Sequence, residues 1–176
     1  GVIHLAGTLH DQRTELIDAQ SLQLVLASKW GVAQQLATLR KQEPQPWEQL
    51  DFELIFSSIA AGLGSPGQLV YGAANGALES GCLNDSAAAS PLNLAIQWGP
   101  WAGSGMAAGL ERRFEAVGLK PLLDEEAFNA LEQLLQRGRS GVVSVMAADW
   151  SRLAGQAQPR QAGWFQGLLP DESGRS

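Results

Sequence analysis

Four short apolar runs separated by helical stretches constrain this chain more than any other feature of its sequence. The runs are Val2-Ile3-His4-Leu5-Ala6-Gly7, Phe52-Glu53-Leu54-Ile55-Phe56, Leu92 to Trp98 and Gly141 to Met146. Strands this short, apolar on both faces and alternating with helices, belong in a parallel sheet covered by helices, an α/β architecture. From about Thr14 to Arg40 the pattern is helical, with Leu22, Leu26, Ala33 and Leu36 on one face and Lys29 in the middle of that stripe. A second helix is expected from Leu69 to about Ala88, with Tyr71, Ala74, Asn75, Leu78 and Cys82 on one face. A third is expected from about Glu125 to Arg137, with Asp124 as N-cap and Gly138 at its end. Gln42 to Trp47, Ala60 to Gln68 and Gly99 to Gly109 read as loops. Residues 1–154 are expected to form the folded part, and 155–176 a terminal linker rich in Gly, Gln, Pro and Arg.

In sheets of this kind ligands bind beyond the carboxyl ends of the strands. Ala6-Gly7, Ser57-Ser58 and Gly99-Pro100 all fall there. The chemistry at those ends carries no metal or disulfide signature, because two His and one Cys give no ligand spacing and Cys82 has no partner within the chain. A net charge of −6 with no Lys/Arg cluster argues against nucleic acid or an anionic membrane as partner. No apolar run approaches the roughly 18 residues of a membrane span. A cytosolic protein is the default expectation, and the sequon Asn84-Asp85-Ser86 then reads as chance. The chain opens on Gly1 directly inside a strand, which reads as a piece of a longer polypeptide.

One constellation is chemically specific. Ser58 ends an apolar strand, Tyr71 is the only tyrosine, and Asn75 follows it by one helical turn on the same face. A phenol near its reference pKa of about 10 is a weak acid at neutral pH. A neighbouring cation favours the phenolate, and Lys29 is the candidate cation, since a lysine inside an apolar stripe is costly unless paired or functional. Such a set suits delivery of a proton to a carbonyl oxygen. No Gly-x-Ser-x-Gly elbow surrounds Ser58 and neither His is an evident base for it, which argues against a hydrolase triad.

These residues resemble the ketoreductase domain of modular polyketide synthases, a branch of the short-chain dehydrogenase/reductase superfamily. Gly1 to Gly7 is similar to that family's fourth strand, Ser28-Lys29-Trp30-Gly31 to its lysine helix, and Trp98-Gly99-Pro100-Trp101 with Gly105-Met106 to its sixth strand and lid. Phe56-Ser57-Ser58, Gly64-Ser65-Pro66-Gly67-Gln68 and Tyr71-Gly72-Ala73-Ala74-Asn75 are similar to its active-site core. Most of the superfamily carries lysine four residues after the tyrosine; in this family lysine and asparagine exchange positions, as Asn75 and Lys29 do here. The resemblance implies a Rossmann-like doubly wound parallel sheet, of which this chain is the C-terminal part. It implies a catalytic set of Lys29, Ser58, Tyr71 and Asn75, and NADPH held in part by Ala6, Gly7, Lys29, Tyr71, Gly99 and Pro100. Tyr71 is then the proton donor, Ser58 a hydrogen-bond donor to the same oxygen, and Lys29 the group that lowers the tyrosine pKa and contacts the nicotinamide ribose. The implied substrate is a phosphopantetheine-bound β-ketoacyl chain on an acyl carrier protein.

Stereochemical fingerprints follow from the same resemblance. Leu9-His10-Asp11 stands where B-type members carry Leu-Asp-Asp, departing in the middle and keeping the final Asp. Leu63 stands where A-type members carry tryptophan, Pro66 is B-like, and Ala73 is not the proline of epimerising members. Met106 falls in the lid beside the substrate. A D-configured β-hydroxyl without epimerisation is the expectation.

The family's first three strands, its phosphate contacts and its structural subdomain have no counterpart in these 176 residues. Gly103 to Gly109 is Gly-rich but lacks the dinucleotide-binding spacing. Two readings stay open: the C-terminal part of an active reductase completed by another segment or chain, or a structural or docking fragment whose catalytic residues are inherited and unused. Under the first, the chain alone is expected to bind NADPH poorly.

Overall fold

The computed structural model describes residues 1–83, 91–103, 109–156, 163–165 and 167–169. In chain order its elements are β1 (Val2–His4), α1 (Ala19–Leu26), α2 (Val32–Gln42), α3 (Pro44–Glu48), β2 (Phe52–Ser58), α4 (Leu69–Leu83), β3 (Leu92–Trp98), α5 (Glu111–Ala116), β4 (Leu119–Lys120), α6 (Asp124–Arg137), β5 (Gly141–Val145), β6 (Ala147–Ala148) and α7 (Trp150–Gly155). They fall into two compact units, Gly1–Trp98 with Glu125–Val145, and Gly99–Asp124 with Met146–Ser176.

The first unit is built on a four-stranded sheet in the order β1-β2-β3-β5, every pair parallel. The order runs in one direction without reversing, the pattern of one half of a doubly wound sheet. β2 and β3 pair over their whole length, from Phe52 opposite Leu92 to Ser58 opposite Trp98. Both strands are buried over most of their length, as strands covered on two faces must be. α4 packs on β2, β3 and β5 and against α1. Ile55, Ala95, Leu78 and Cys82 form one core cluster, and Val25, Ala60, Val70, Tyr71 and Ala74 another. Glu53 interrupts the apolar run of β2. It is buried, and the Arg40 guanidinium from α2 neutralises it while stacking over the Trp47 ring at 5.3 Å.

Two local expectations change. The 42–47 loop holds α3, with Pro44 at its first position, where the missing N–H costs nothing. The single helix expected from Thr14 to Arg40 is a 3₁₀ turn at Thr14–Leu16, then α1, a π-helical turn at Ala27–Gly31 and α2. Its buried stripe is displaced by one position. Ser21, Val25 and Lys29 face inward at four-residue steps, Leu22 is exposed, and Leu26, Ala33 and Leu36 are only half-buried. Asp18 caps α1 by accepting from the Ser21 N–H at 2.8 Å, while the Ser21 side chain accepts from the Asp18 N–H.

In the second unit β4 and β6 pair antiparallel. Gly118 precedes β4 with φ +87°, and a Cβ there would meet backbone atoms of Leu153 and Asp149 at 3.0 and 3.1 Å. Asp149 caps α7 by accepting from the Arg152 N–H. Within the stretch expected as linker, residues 163–165 form one helical turn and Phe165 is buried. No described helix is long and apolar enough to cross a membrane.

Lys29 is a costly residue to bury. It is 2% exposed, and burial pushes its pKa from 10.5 down to about 8. Its Nζ donates to the Phe56 carbonyl at 2.7 Å. Below pH 8 the lysine is charged both folded and unfolded, and the burial cost is constant. Between about 8 and 10.5 the unfolded chain holds a proton that the folded chain releases, so this site's contribution to stability rises with pH. Lys29→Met lacks that titration. Urea unfolding of parent and variant at pH 7 and pH 10 should therefore show the parent gaining up to ~3 kcal/mol on the variant across the window. A pH-independent difference between them would refute burial as the cause.

Candidate active site

The carboxyl end of β2 organises the site. Ser58 is its last residue, and its Oγ accepts from the Ala60 N–H at 3.2 Å, which holds the hydroxyl where the chain leaves the sheet. Two residues earlier the Phe56 carbonyl receives the Lys29 ammonium. Lysine can reach it because the π-helical turn lies against α4 beside the sheet. A π turn packs an extra residue into the helix and is a recurrent feature of functional helices. His4, on β1, is buried with its own pKa pushed down, first by burial and then by the Lys29 charge; it also hydrogen-bonds the Lys29 backbone.

From Ser58 the chain passes through a loop that sets the start of α4. Gln68 N–H donates to the Ser65 carbonyl at 3.0 Å, Pro66 follows Ser65, and Gly67 has φ +78°. That is a type II turn with proline and glycine at the positions it demands. α4 then begins at Leu69 and presents Tyr71 in its first turn.

Tyr71 is 9% exposed. Burial raises its pKa above the ordinary phenol value, and side-chain hydrogen bonding by Asn75 and then Ser58 pulls the other way. The expected lowering by Lys29 is not what this environment does: desolvation outweighs the polar contacts, and the nearby Asp11 charge adds to the rise. The consequence is a phenol that keeps its proton at neutral pH. Asn75 is fully buried, and its Nδ2 donates to the Tyr71 main-chain carbonyl at 2.8 Å. Its Oδ1 is buried without a protein partner. Buried amide oxygens are seldom left so, and a ligand or a water is the usual satisfier.

The expected stereocontrol residues divide. Gln68 Nε2 donates to both Asp11 oxygens at 3.1 Å, and the Gln12 N–H donates to the Gly67 carbonyl at 2.9 Å. Leu9 packs on the cluster that contains Tyr71. The Leu9–Asp11 segment is therefore tied to the turn immediately before the tyrosine. His10 is exposed, Leu63 is half-buried with its N–H on the Ile59 carbonyl, and Pro66 is the exposed corner of the type II turn. Ala6 and Gly7 follow β1, which pairs with β2, so they lie beside the organising strand end. Gly99 and Pro100 follow β3 and belong to the second unit, where the Pro100 carbonyl accepts from the Leu122 N–H at 2.7 Å. Met106 lies outside the described residues.

Sequence reading passed over a second polar cluster. Glu79 accepts from the Ser57 hydroxyl and, at 2.9 Å, from Gln97 Nε2; Gln97 Oε1 in turn accepts from Ser144 Oγ at 2.7 Å. The available signal was spacing: Glu79 follows Asn75 by four residues, on the helix face that already carries Tyr71.

The model of the KR domain family matches residues 1–103. Erythronolide synthase EryA2 of Saccharopolyspora erythraea is 35% identical over 139 residues, 78% of this chain and 4% of that protein. Pikromycin polyketide synthase component PikAII of Streptomyces venezuelae is 29% identical over 171 residues, 97% of this chain and 4% of that protein. Among solved structures, the PlmKR1 ketoreductase from the first module of phoslactomycin biosynthesis in Streptomyces sp. HK803 superimposes with a TM-score of 0.75 at 30% identity, covering 94% of this chain and 38% of that one. The chain thus spans a small fraction of the curated relatives' length and little more than a third of the solved ketoreductase. With the family model matched over more than half of its length and a parallel half-sheet that superimposes on a solved ketoreductase, the chain belongs to the KR domain family, the ketoreductase domains of modular polyketide synthases within the short-chain dehydrogenase/reductase superfamily.

Proposed function

We propose that this chain carries the catalytic residues of an NADPH-dependent ketoreductase. Its reaction converts a β-ketoacyl thioester on an acyl carrier protein to the D-β-hydroxyacyl thioester, without epimerisation, in cytosolic polyketide assembly. The observation that carries this reading is the buried Tyr71 in the first turn of α4, with Ser58 at the end of β2 and the buried Lys29 ammonium donating to the Phe56 carbonyl of the same strand.

The residues present fit a nicotinamide cofactor. Lys29 offers a buried ammonium with more donors than its bond to Phe56 uses, and Asn75 Oδ1 is a buried acceptor without a protein partner. Both suit ribose hydroxyls or a water that reaches them, and Ala6-Gly7 follows the end of β1. A nicotinamide cofactor held there would supply the hydride for the carbonyl carbon. The carbonyl π pair moves to oxygen, and that oxygen takes the Tyr71 proton. Ser58 donates a hydrogen bond to the same oxygen and stabilises its developing negative charge. The phenolate left on Tyr71 is favoured by the Ser58 and Asn75 contacts and recovers a proton from solvent. With Lys29 titrating near 8, most of it is cationic at neutral pH.

Asp11 supports the stereochemical part of the reading. Its carboxylate is clamped by Gln68, three residues before Tyr71, and its charge is felt at the phenol. In this reading the Asp11 segment borders the reacting carbonyl and dictates which face it presents.

In the complete ketoreductase, Tyr71→Phe should lower reduction of a β-ketoacyl thioester by ~10²-fold or more while NADPH still binds. Parental turnover in that variant, measured by loss of NADPH absorbance, would sink the assignment. Chiral chromatography of the product should show the D-hydroxyl with the α-configuration retained, and Asp11→Ala should erode that selectivity. A predominantly L product would overturn the B-type reading and leave the reductase intact.

A further inference from the structure

Tyr71, Asn75 and Glu79 stand at four-residue steps on one face of α4, with 9%, 0% and 6% of their surfaces exposed. The first two belong to the active site. The third lies two turns away, about 12 Å along the helix axis. It is nonetheless joined to the site through the sheet. Both Glu79 oxygens are engaged by neutral donors, Oε1 by the Ser57 hydroxyl and Oε2 by the Gln97 amide at 2.9 Å. Ser57 is the neighbour of Ser58 on β2, Gln97 lies on β3 directly opposite Ser57, and Gln97 reaches Ser144 on β5. One carboxylate thus ties the helix bearing the tyrosine to the strand bearing the serine, and through Gln97 to the next two strands.

Resting on the reductase reading above, we propose that Glu79 is a positioning residue whose bridge to Ser57 and Gln97 sets the separation of the Ser58 hydroxyl from the Tyr71 phenol. Apolar packing alone leaves a helix free to slide on a sheet by fractions of an ångström. A buried carboxylate with two hydrogen bonds does not tolerate such a slide, because either bond once lost leaves a buried polar group unpaired. Ser58 and Tyr71 must act on one oxygen, and small misplacements of such pairs are expensive in rate.

Three variants of the complete ketoreductase test this. Ser57→Ala removes only the strut to β2. Glu79→Leu removes both acceptors at similar volume. Glu79→Gln removes the charge and keeps an acceptor for Ser57. With the β-ketobutyryl thioester of N-acetylcysteamine as substrate, Ser57→Ala and Glu79→Leu should lower kcat about tenfold or more, with KM for thioester and NADPH within about twofold of the parent. Glu79→Gln should keep kcat within about threefold. Selective ¹³Cζ-tyrosine NMR, with the Tyr71 signal assigned as the one lost in Tyr71→Phe, should show its pKa higher in Ser57→Ala and Glu79→Leu, because the Ser58 contact that favours phenolate is weakened. A through-space effect of the lost charge would lower that pKa instead. The proposal is overturned by parental kcat in Ser57→Ala, by Glu79→Gln as damaging as Glu79→Leu, or by a Tyr71 pKa that stays or falls. Should Glu79→Leu fail to fold, Ser57→Ala decides. A parent protein that reduces no thioester refutes the reductase reading, and the tyrosine titration then decides the positioning claim by itself.

Discussion

The carboxyl end of β2 has to satisfy polar groups inside an apolar interior, and the rest of the site follows from how it does so. The strand is paired along its length with β3 and packed against α4, so that of its last three residues Ser57 is buried and Phe56 and Ser58 are half-buried. Each of them is met by a different element. The Phe56 carbonyl takes the Lys29 ammonium, Ser57 gives its hydroxyl to Glu79, and Ser58 receives the Ala60 N–H and faces the phenol of Tyr71. Hydrogen bonds in such surroundings are directional, and each missing one is costly. The sheet end therefore fixes the lysine turn, the start of the following loop and the register of α4 together.

The electrostatics show the same trade. Burial pushes Lys29 down and Tyr71 up, so each group is drawn toward its uncharged form. For the tyrosine this suits the proposed role, since a donor has to hold its proton until the carbonyl oxygen becomes basic. For the lysine it is a cost, offset in part by the Phe56 carbonyl. Stability given up at a site that needs a buried cation is a common feature of catalytic cores. His4 sharpens the point: placed beside a buried cation, it stays neutral by the same desolvation and by Lys29's charge.

Much of the architecture was legible before any coordinates. The strands at Val2, Phe52, Leu92 and Gly141, the helix beginning at Leu69 and the helix ending at Arg137 all follow from period and punctuation, because apolar runs and capping residues act locally. The buried stripe of α1 was misplaced by one position. Leucines at 22 and 26 looked like the inward face together with Lys29; the lysine does face inward, but Ser21 and Val25 accompany it in place of the leucines. Helical periodicity alone has no means of choosing between adjacent stripes when one holds a capping serine, or of foreseeing a π turn. The short helices α5 and α7 and the β4–β6 pair were unreadable for a related reason, since two-residue strands and single-turn helices are settled by tertiary contacts rather than by pattern.

By itself the sequence determined the fold class, because the order of apolar runs admits few topologies, and it singled out Ser58, Tyr71 and Asn75 with an earlier Lys29 as the reacting groups proposed above. Only the tertiary structure decided how those groups are poised. It showed that burial, not the lysine, dominates the tyrosine's acidity, that Asp11 is clamped by Gln68 beside it, and that Glu79 bridges α4 to β2 and β3. These are consequences of desolvation and of contacts between residues 18 to 57 positions apart, and such quantities exist only once the chain has closed on itself.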